Sequence, residues 1–145
     1  MPDGKFDWQP HAKSMTMARL ATHIAELPHW ASVTLNQESF DVAPPGAPAY
    51  TPTVVTTTVE LVALLDQKAA EAREAIAAAS DADMMKPWSL LHASNTVFTM
   101  PKAAVLRSFV MNHLIHHRGQ LSVYLRLNDV PVPSIYGPSA DEGQM

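Results

Sequence analysis

The sequence contains no cysteine. Disulfides, thiolate zinc sites and a nucleophilic thiol are thereby excluded, and any metal site must draw on His, Asp or Glu. Charge is sparse as well. Ten Lys and Arg stand against fourteen Asp and Glu, a formal net charge of -4, and the basic residues are scattered without a run. Binding to a phosphate backbone calls for a clustered surplus of Lys and Arg, which argues against a nucleic-acid partner. No stretch approaches the ~20 apolar residues that cross a bilayer, so no membrane partner is expected. The opening "MPDGKFDWQPHAKS" lacks the apolar core of a signal peptide. The expectation is a soluble, cytoplasmic protein, a location that suits a cysteine-free chain.

What is present points to a globular chain. Hydrophobic residues make up 47% of 145 positions, enough for one domain over residues 1–145 to bury its own core. Residues 1–13 read as an irregular lead-in broken by Pro2, Gly4 and Pro10. Ser14 or Thr16 can cap a helix over about 15–36, whose apolar positions Met17, Leu20, Ile24, Leu27 and Ala31 keep a 3.6-residue period. Pro28 should kink that helix or end its regular part, because it lacks an N–H and crowds the preceding turn. A proline-rich connection, "DVAPPGAPAYTP", follows.

Residues 53–79 read as one long helix. The segment opens with β-branched residues, but Val55, Val59, Val62, Leu65, Ala69, Ala72 and Ile76 hold a helical spacing throughout, and the second half is rich in alanine. Next comes an irregular crossing, "SDADMMKPWSLLHASNTVFTMPK", with Trp88 and Phe98 as buried anchors. Pro101 fits the first position of a last long helix running to about Asn128, and a Pro/Gly-rich tail closes the chain. No repeat is visible. The expectation is an all-α fold, a bundle of three long helices with irregular connections.

The most unusual stretch is "MNHLIHHRGQLSVYL", residues 111–125. At ~100° per residue, Leu106, Val110, His113, His117, Leu121 and Tyr124 share one narrow, inward face, while His116 lies towards the polar boundary. Two readings stay open for His113 and His117. They are core residues hydrogen-bonded to carbonyls, or they grip one cation from adjacent turns, ~5–6 Å apart at Cβ. A buried imidazole without a partner costs ~1–3 kcal/mol and two charged rings repel, so the pair is hard to explain as packing alone. A metal normally takes a third protein ligand. His23, in "RLATHIAELPHW" beside Leu20, Ile24 and Leu27, is the leading candidate by spacing. His29 sits next to Pro28 on the turn beyond, and His11 and His92 fall in segments read as irregular.

Three stretches carry a resemblance. "HLIHHRGQLSVYLRLNDVPVPSIYGPS" resembles the C-terminal motif of the DinB-like family, also grouped with the YfiT-like metal-dependent hydrolases. "MARLATHIAELPHW" resembles its early histidine helix, and "DWQPHAKSMTM" the segment leading into it. The resemblance is colinear over most of the chain. It implies a four-helix bundle holding a divalent metal ion, commonly nickel, zinc or iron, on three histidines that fall here on His23, His113 and His117. It also implies a metal-dependent enzyme acting on a small molecule of unknown identity, of hydrolase or low-molecular-weight-thiol transferase type. The alternative is a non-catalytic, metal-binding or stress-related bundle, and a plain helical oligomer with packing histidines is a third reading.

Around the triad, Glu26 reads as an acceptor for a ligand ring, a base, or a solvated surface residue. Arg118 and Gln120 orient the helix end, meet an anionic substrate, or pair structurally; Tyr124 lines the pocket or packs in the core. Ligation needs neutral imidazoles, so metal affinity should fall as pH drops through about 6. The resemblance further leads one to expect a long first helix ahead of "DGKFDWQPH", for which the sequence has no room. Three helices with wide apolar faces then leave a flank uncovered, and a homodimer or higher homo-oligomer is the expected cover.

Overall fold

A computed structural model describes residues 1–2, 4–48, 51–53 and 55–143. Its first helix, α1 (Met17–Glu26), opens where the Thr16 hydroxyl accepts from the Arg19 N–H at 3.2 Å. Met17, Leu20, Ala21 and Ala25 form its buried face. Pro28 divides the expected 15–36 helix in two. Its missing N–H ends the ladder, Leu27 closes α1 by donating to the His23 carbonyl, and α2 (His29–Asn36) starts afresh.

A short strand, β1 (Ser39–Asp41), follows, and then the proline-rich connection leads to α3 (Thr58–Ala78). This helix begins five residues later than the apolar spacing implies. Thr57 and Glu60 form a capping box, and the Glu60 carboxylate accepts from the backbone N–H of both Thr56 and Thr57. Those bonds fix the start of the helix and leave the β-branched lead outside it.

The stretch expected to be irregular is ordered, and the fold is therefore not all-α. After a single capped turn, α4 (Asp81–Met84), strands β2 (Pro87–His92) and β3 (Asn95–Pro101) pair antiparallel. β1 pairs parallel with β2, giving a three-stranded sheet in the order β1-β2-β3. The hairpin turns on Ala93 and Ser94, at φ 50° and 65°. Two successive positive φ values favour Asn-Gly. Here the Asp41 carboxylate accepts from both backbone N–H groups, at 3.1 and 2.7 Å, and holds the turn from the neighbouring strand.

Trp88 is fully buried, whereas Phe98, 6.1 Å from it, is only half-buried and packs against the core from its edge. Val33, Trp88, Leu90 and Val105 form its centre, with Trp30, Phe40 and Phe109 packed around them. The sheet thereby clamps α2 against the start of the last helix. Pro101 ends β3 and caps α5 (Lys102–Val105), one position earlier than expected; the chain continues through a π-helical segment (Leu106–Met111) into α6 (Asn112–Arg126). The Lys102 ammonium is buried and donates to the Leu35 carbonyl at 2.7 Å, capping the C-terminus of α2.

α3 packs along α1 and α2, and α6 packs on α1. The Tyr124 hydroxyl donates to the Met15 carbonyl at 3.2 Å, and its ring meets Trp8 edge-on at 5.5 Å. The lead-in is thus tied to the far end of α6, which runs opposite to α1. No helix among the described residues is long and apolar enough to cross a membrane.

Because Trp88 joins sheet and helices, Trp88→Ala should lower the free energy of unfolding by ~3–5 kcal/mol. Val97→Ala, at an exposed strand position, should change it by less than ~0.5 kcal/mol. Urea titrations of the two variants followed by circular dichroism check the contrast.

Candidate metal centre

His23 is carried on α1, one turn before the Pro28 break, and His113 and His117 on the first two turns of α6. The antiparallel packing of these helices brings the three rings into a near-equilateral triangle. Ring centroids are 5.0 Å apart for His23–His113, 4.7 Å for His23–His117 and 4.8 Å for His113–His117. One nitrogen from each ring lies within 4.8 Å of the others. His117 is buried, and the other two are half-buried.

In His113 and His117 the rings have a further partner besides the centre. His23 Nε2 and His113 Nε2 face one another at 3.2 Å. The His113 ring also has the backbone of Phe109 as a hydrogen-bond partner. Phe109 lies in the π-helical segment, where the usual backbone ladder is interrupted and Ser108 Oγ donates to the Ala104 carbonyl at 2.6 Å. In His117, Nδ1 meets Gln120 Oε1 at 2.7 Å. An amide oxygen accepts only, so Nδ1 carries the proton and the Nε2 lone pair is free.

The site disfavours protons. Burial first, then the neighbouring His117, His113 and Arg19, push His23 from 6.5 down to about 4, with Glu26 opposing. Burial followed by His117 also lowers His113, while the Phe109 hydrogen bond works the other way. At His23, proton competition with a ligated cation therefore sets in at lower pH than for an ordinary imidazole.

The donor set fits a divalent transition-metal ion. Three neutral imidazoles are borderline-soft ligands suited to zinc, iron or nickel. Bonds of ~2.0–2.1 Å place neighbouring ligand nitrogens ~3.0–3.4 Å apart. The His23–His113 pair already stands at that spacing, at 3.2 Å, and the widest separation among the three is 4.8 Å. Among the described residues no carboxylate joins the cluster.

The remaining candidates lie elsewhere. Glu26 accepts from Arg19 at 3.3 Å and from the Thr53 hydroxyl at 2.5 Å, one turn beyond His23. His116 is exposed beside His117. His29 pairs with Glu71 at 3.1 Å, and His11 Nδ1 accepts from the Lys13 N–H. His92 ends β2, and Arg118 borders an apolar groove rather than the triad. Tyr124 packs and hydrogen-bonds at the lead-in. The specific partnership of Gln120 with His117 was written in its i, i+3 spacing, whereas the Phe109 contact has no signal in the sequence.

Residues 1–144 match the DinB family. In fold, the chain is similar to YjoA, a DinB-like protein of Bacillus subtilis known from a crystal structure, with a TM-score of 0.68 at 18% identity over 95% of this chain and 85% of that one. In sequence it is similar to YrdA, an uncharacterized protein of Bacillus subtilis, at 44% identity over 43 residues. That stretch is 30% of this chain and only 25% of the relative.

The depressed His23 value ties stability to pH. The unfolded chain takes up a proton near 6.5, the folded chain only near 4. Between those values the unfolded state binds more protons, so the metal-free fold loses stability as pH falls through the window. Thermal unfolding of metal-free protein should show Tm declining from pH 6.5 to pH 4, with a shallower decline in His23→Gln. Equal slopes in the two proteins would show that His23 is not the group responsible.

Proposed function

From the premise that this chain belongs to the DinB family, we infer that it binds one divalent transition-metal ion on His23, His113 and His117 and acts as a metal-dependent enzyme on a small molecule. The observation that carries the reading is the convergence of three imidazole nitrogens within 4.8 Å, from two helices and against the cost of burial. Nickel, zinc and iron are the ions this donor set favours.

When bound, such an ion supplies Lewis acidity and a coordinated water acidified to near neutrality. The chain supplies the rest. Gln120 fixes the tautomer and ring angle of His117, and the backbone of Phe109 gives the His113 ring a further hold. Arg19 and Glu26 form an ion pair beside His23. Three protein ligands leave coordination positions for a substrate oxygen or sulfur, the geometry that hydrolysis or transfer of a low-molecular-weight thiol requires. A chain without cysteine offers no thiol of its own to compete for the ion, which suits such chemistry in a reducing cytoplasm.

Protein purified without a histidine tag and loaded with nickel, zinc or iron should retain close to one ion per chain by elemental analysis. His23→Ala, His113→Ala and His117→Ala should each retain close to none. A wild-type stoichiometry near zero overturns the reading. Gln120→Leu should weaken metal binding ~10–100-fold while leaving the ligands in place, measured by competition with a chromophoric chelator. Hydrolysis and thiol-transfer assays on the loaded protein then test catalysis apart from binding.

A further inference from the structure

We propose that a pocket beside the amino-terminal half of α1 binds the α-amino-acid end of a small zwitterion, its carboxylate on Arg19 and its ammonium on Asp7. As a statement of substrate class this rests on the enzyme reading above. As a binding site it stands on the pocket alone.

The pocket holds about 400 Å³, near the small end of the ~300–1,000 Å³ usual for small-molecule sites. Phe6 and Asp7 line it from the lead-in, Thr53 and Val55 from the segment before α3, and Arg19 and Thr22 from α1 itself. Both flanking segments are fastened to α1. The Phe6 and Trp8 carbonyls accept from the Ala18 and Met17 N–H groups, each at 2.8 Å, so Asp7 sits between two anchored residues. Those N–H groups belong to the first turn of the helix and have no partner within it. On the other side, the Thr53 hydroxyl donates to Glu26 at 2.5 Å. The cavity is therefore formed before any ligand arrives, which spares the ligand the cost of ordering it.

Its two charges are opposite and not spent on each other. Arg19 and Asp7 both line the pocket, yet among the described residues no ion pair joins them, and Asp7 has none at all. Arg19 gives Glu26 one bond, from Nη1 to Oε2 at 3.3 Å. A guanidinium carries five N–H donors, so most of the fork stays available. Its planar geometry suits a carboxylate, which can take two of those donors side by side. The Asp7 carboxylate accepts only, and an ammonium donates only. A lone cation in this pocket meets the repulsion of Arg19, and a lone anion that of Asp7. A molecule with both charges a few bonds apart satisfies the two residues together. Phe6 and the buried Val55 offer apolar contact for an aliphatic side chain.

The pocket also adjoins the histidine centre. Arg19, His23 and Glu26 fall within ~60° of one another at ~100° per residue. The Arg19–Glu26 bridge therefore runs past His23 on one face of α1. A carboxylate received by Arg19 is anchored next to a proposed metal ligand, where a substrate needs to be held.

L-leucine is the probe, with isocaproate, which lacks its ammonium, and isopentylamine, which lacks its carboxylate. In NMR titrations of the metal-free protein, L-leucine should shift the amides of Phe6, Asp7, Arg19 and Thr22. It should bind at least ~5-fold more tightly than either analogue. Asp7→Asn should erase the preference for L-leucine over isocaproate without weakening isocaproate itself. Arg19→Gln should erase the preference over isopentylamine. A merely structural loss would instead weaken all three ligands together. If Arg19→Gln fails to fold, the exposed Asp7→Asn carries the test. Equal wild-type affinity for L-leucine and isocaproate overturns the proposal, as do shifts confined to other residues. One ion per chain without L-leucine binding sinks this site and spares the metal reading; L-leucine binding without a retained ion does the reverse.

Discussion

Three imidazole nitrogens held within 4.8 Å of one another cannot all carry protons. That constraint organises the middle of the molecule. Burial, reinforced by the neighbouring rings, lowers His23 to about 4, and the three rings turn a nitrogen each towards a common centre. Gln120 and the Phe109 backbone then have a shared purpose, since each gives one of the rings a further partner. Removing water from such a cluster is costly unless something replaces it. A divalent cation does so at once for all three rings, which is why the metal reading has more explanatory reach than three separate packing accounts.

Positions on α6 alone do not make the centre. His23 must arrive from α1 at the right height, and that height is set by two remote features. Pro28 ends α1 one turn past the ligand and turns the chain into α2. The sheet then clamps α2 against Val105 and Phe109 at the head of the last helix. Phe109 is shared, because its ring packs on Trp30 at 5.2 Å and lies 5.9 Å from His113. The π-helical segment sits at this junction. Its wider winding shifts the register of the helix just before the ligands, a device found often beside functional sites. The hairpin that was expected to be mere connection is thus part of what holds the histidine side of the molecule.

How much of this was legible depended on the range of the interaction that decided it. Helical period and the Pro28 interruption are local, and both were readable. The inward face of His113 and His117 followed from angle alone. For His23 the spacing beside Leu20, Ile24 and Leu27 gave only a lean, because nothing within one helix says which distant imidazole will meet another, and the resemblance to a family added the rest. The sheet was missed for a related reason. β1 has three residues and pairs in parallel with residues fifty positions away, while the turn at Ala93–Ser94 lacks Asn-Gly and is held by Asp41 from another strand. The late start of α3 was the one local misreading. The Thr57/Glu60 capping box outweighed an apolar spacing that continued upstream of it.

α3 shows why an apolar period is not a core assignment. Val55, Ala72 and Ala75 are buried, yet Val59, Val62, Leu65 and Ile76, read from the same spacing, are exposed. A helix with a wide apolar arc buries only as much of it as its neighbours can reach, and α1 with α2 reach one side of α3. The uncovered side faces the groove that leads to Met111 and Ile115, on the same last helix that carries His113 and His117. Whatever fills that groove presses on the π-helical segment from the outside while the sheet presses from within. Occupancy of the flank and geometry of the histidine centre are therefore mechanically linked through a single helix. A rotation of α6 by even ~20° would displace a ring nitrogen ~6–7 Å from its axis by ~2 Å, as much as one metal–ligand bond. The fold can keep three nitrogens converged only if both sides of that helix are held.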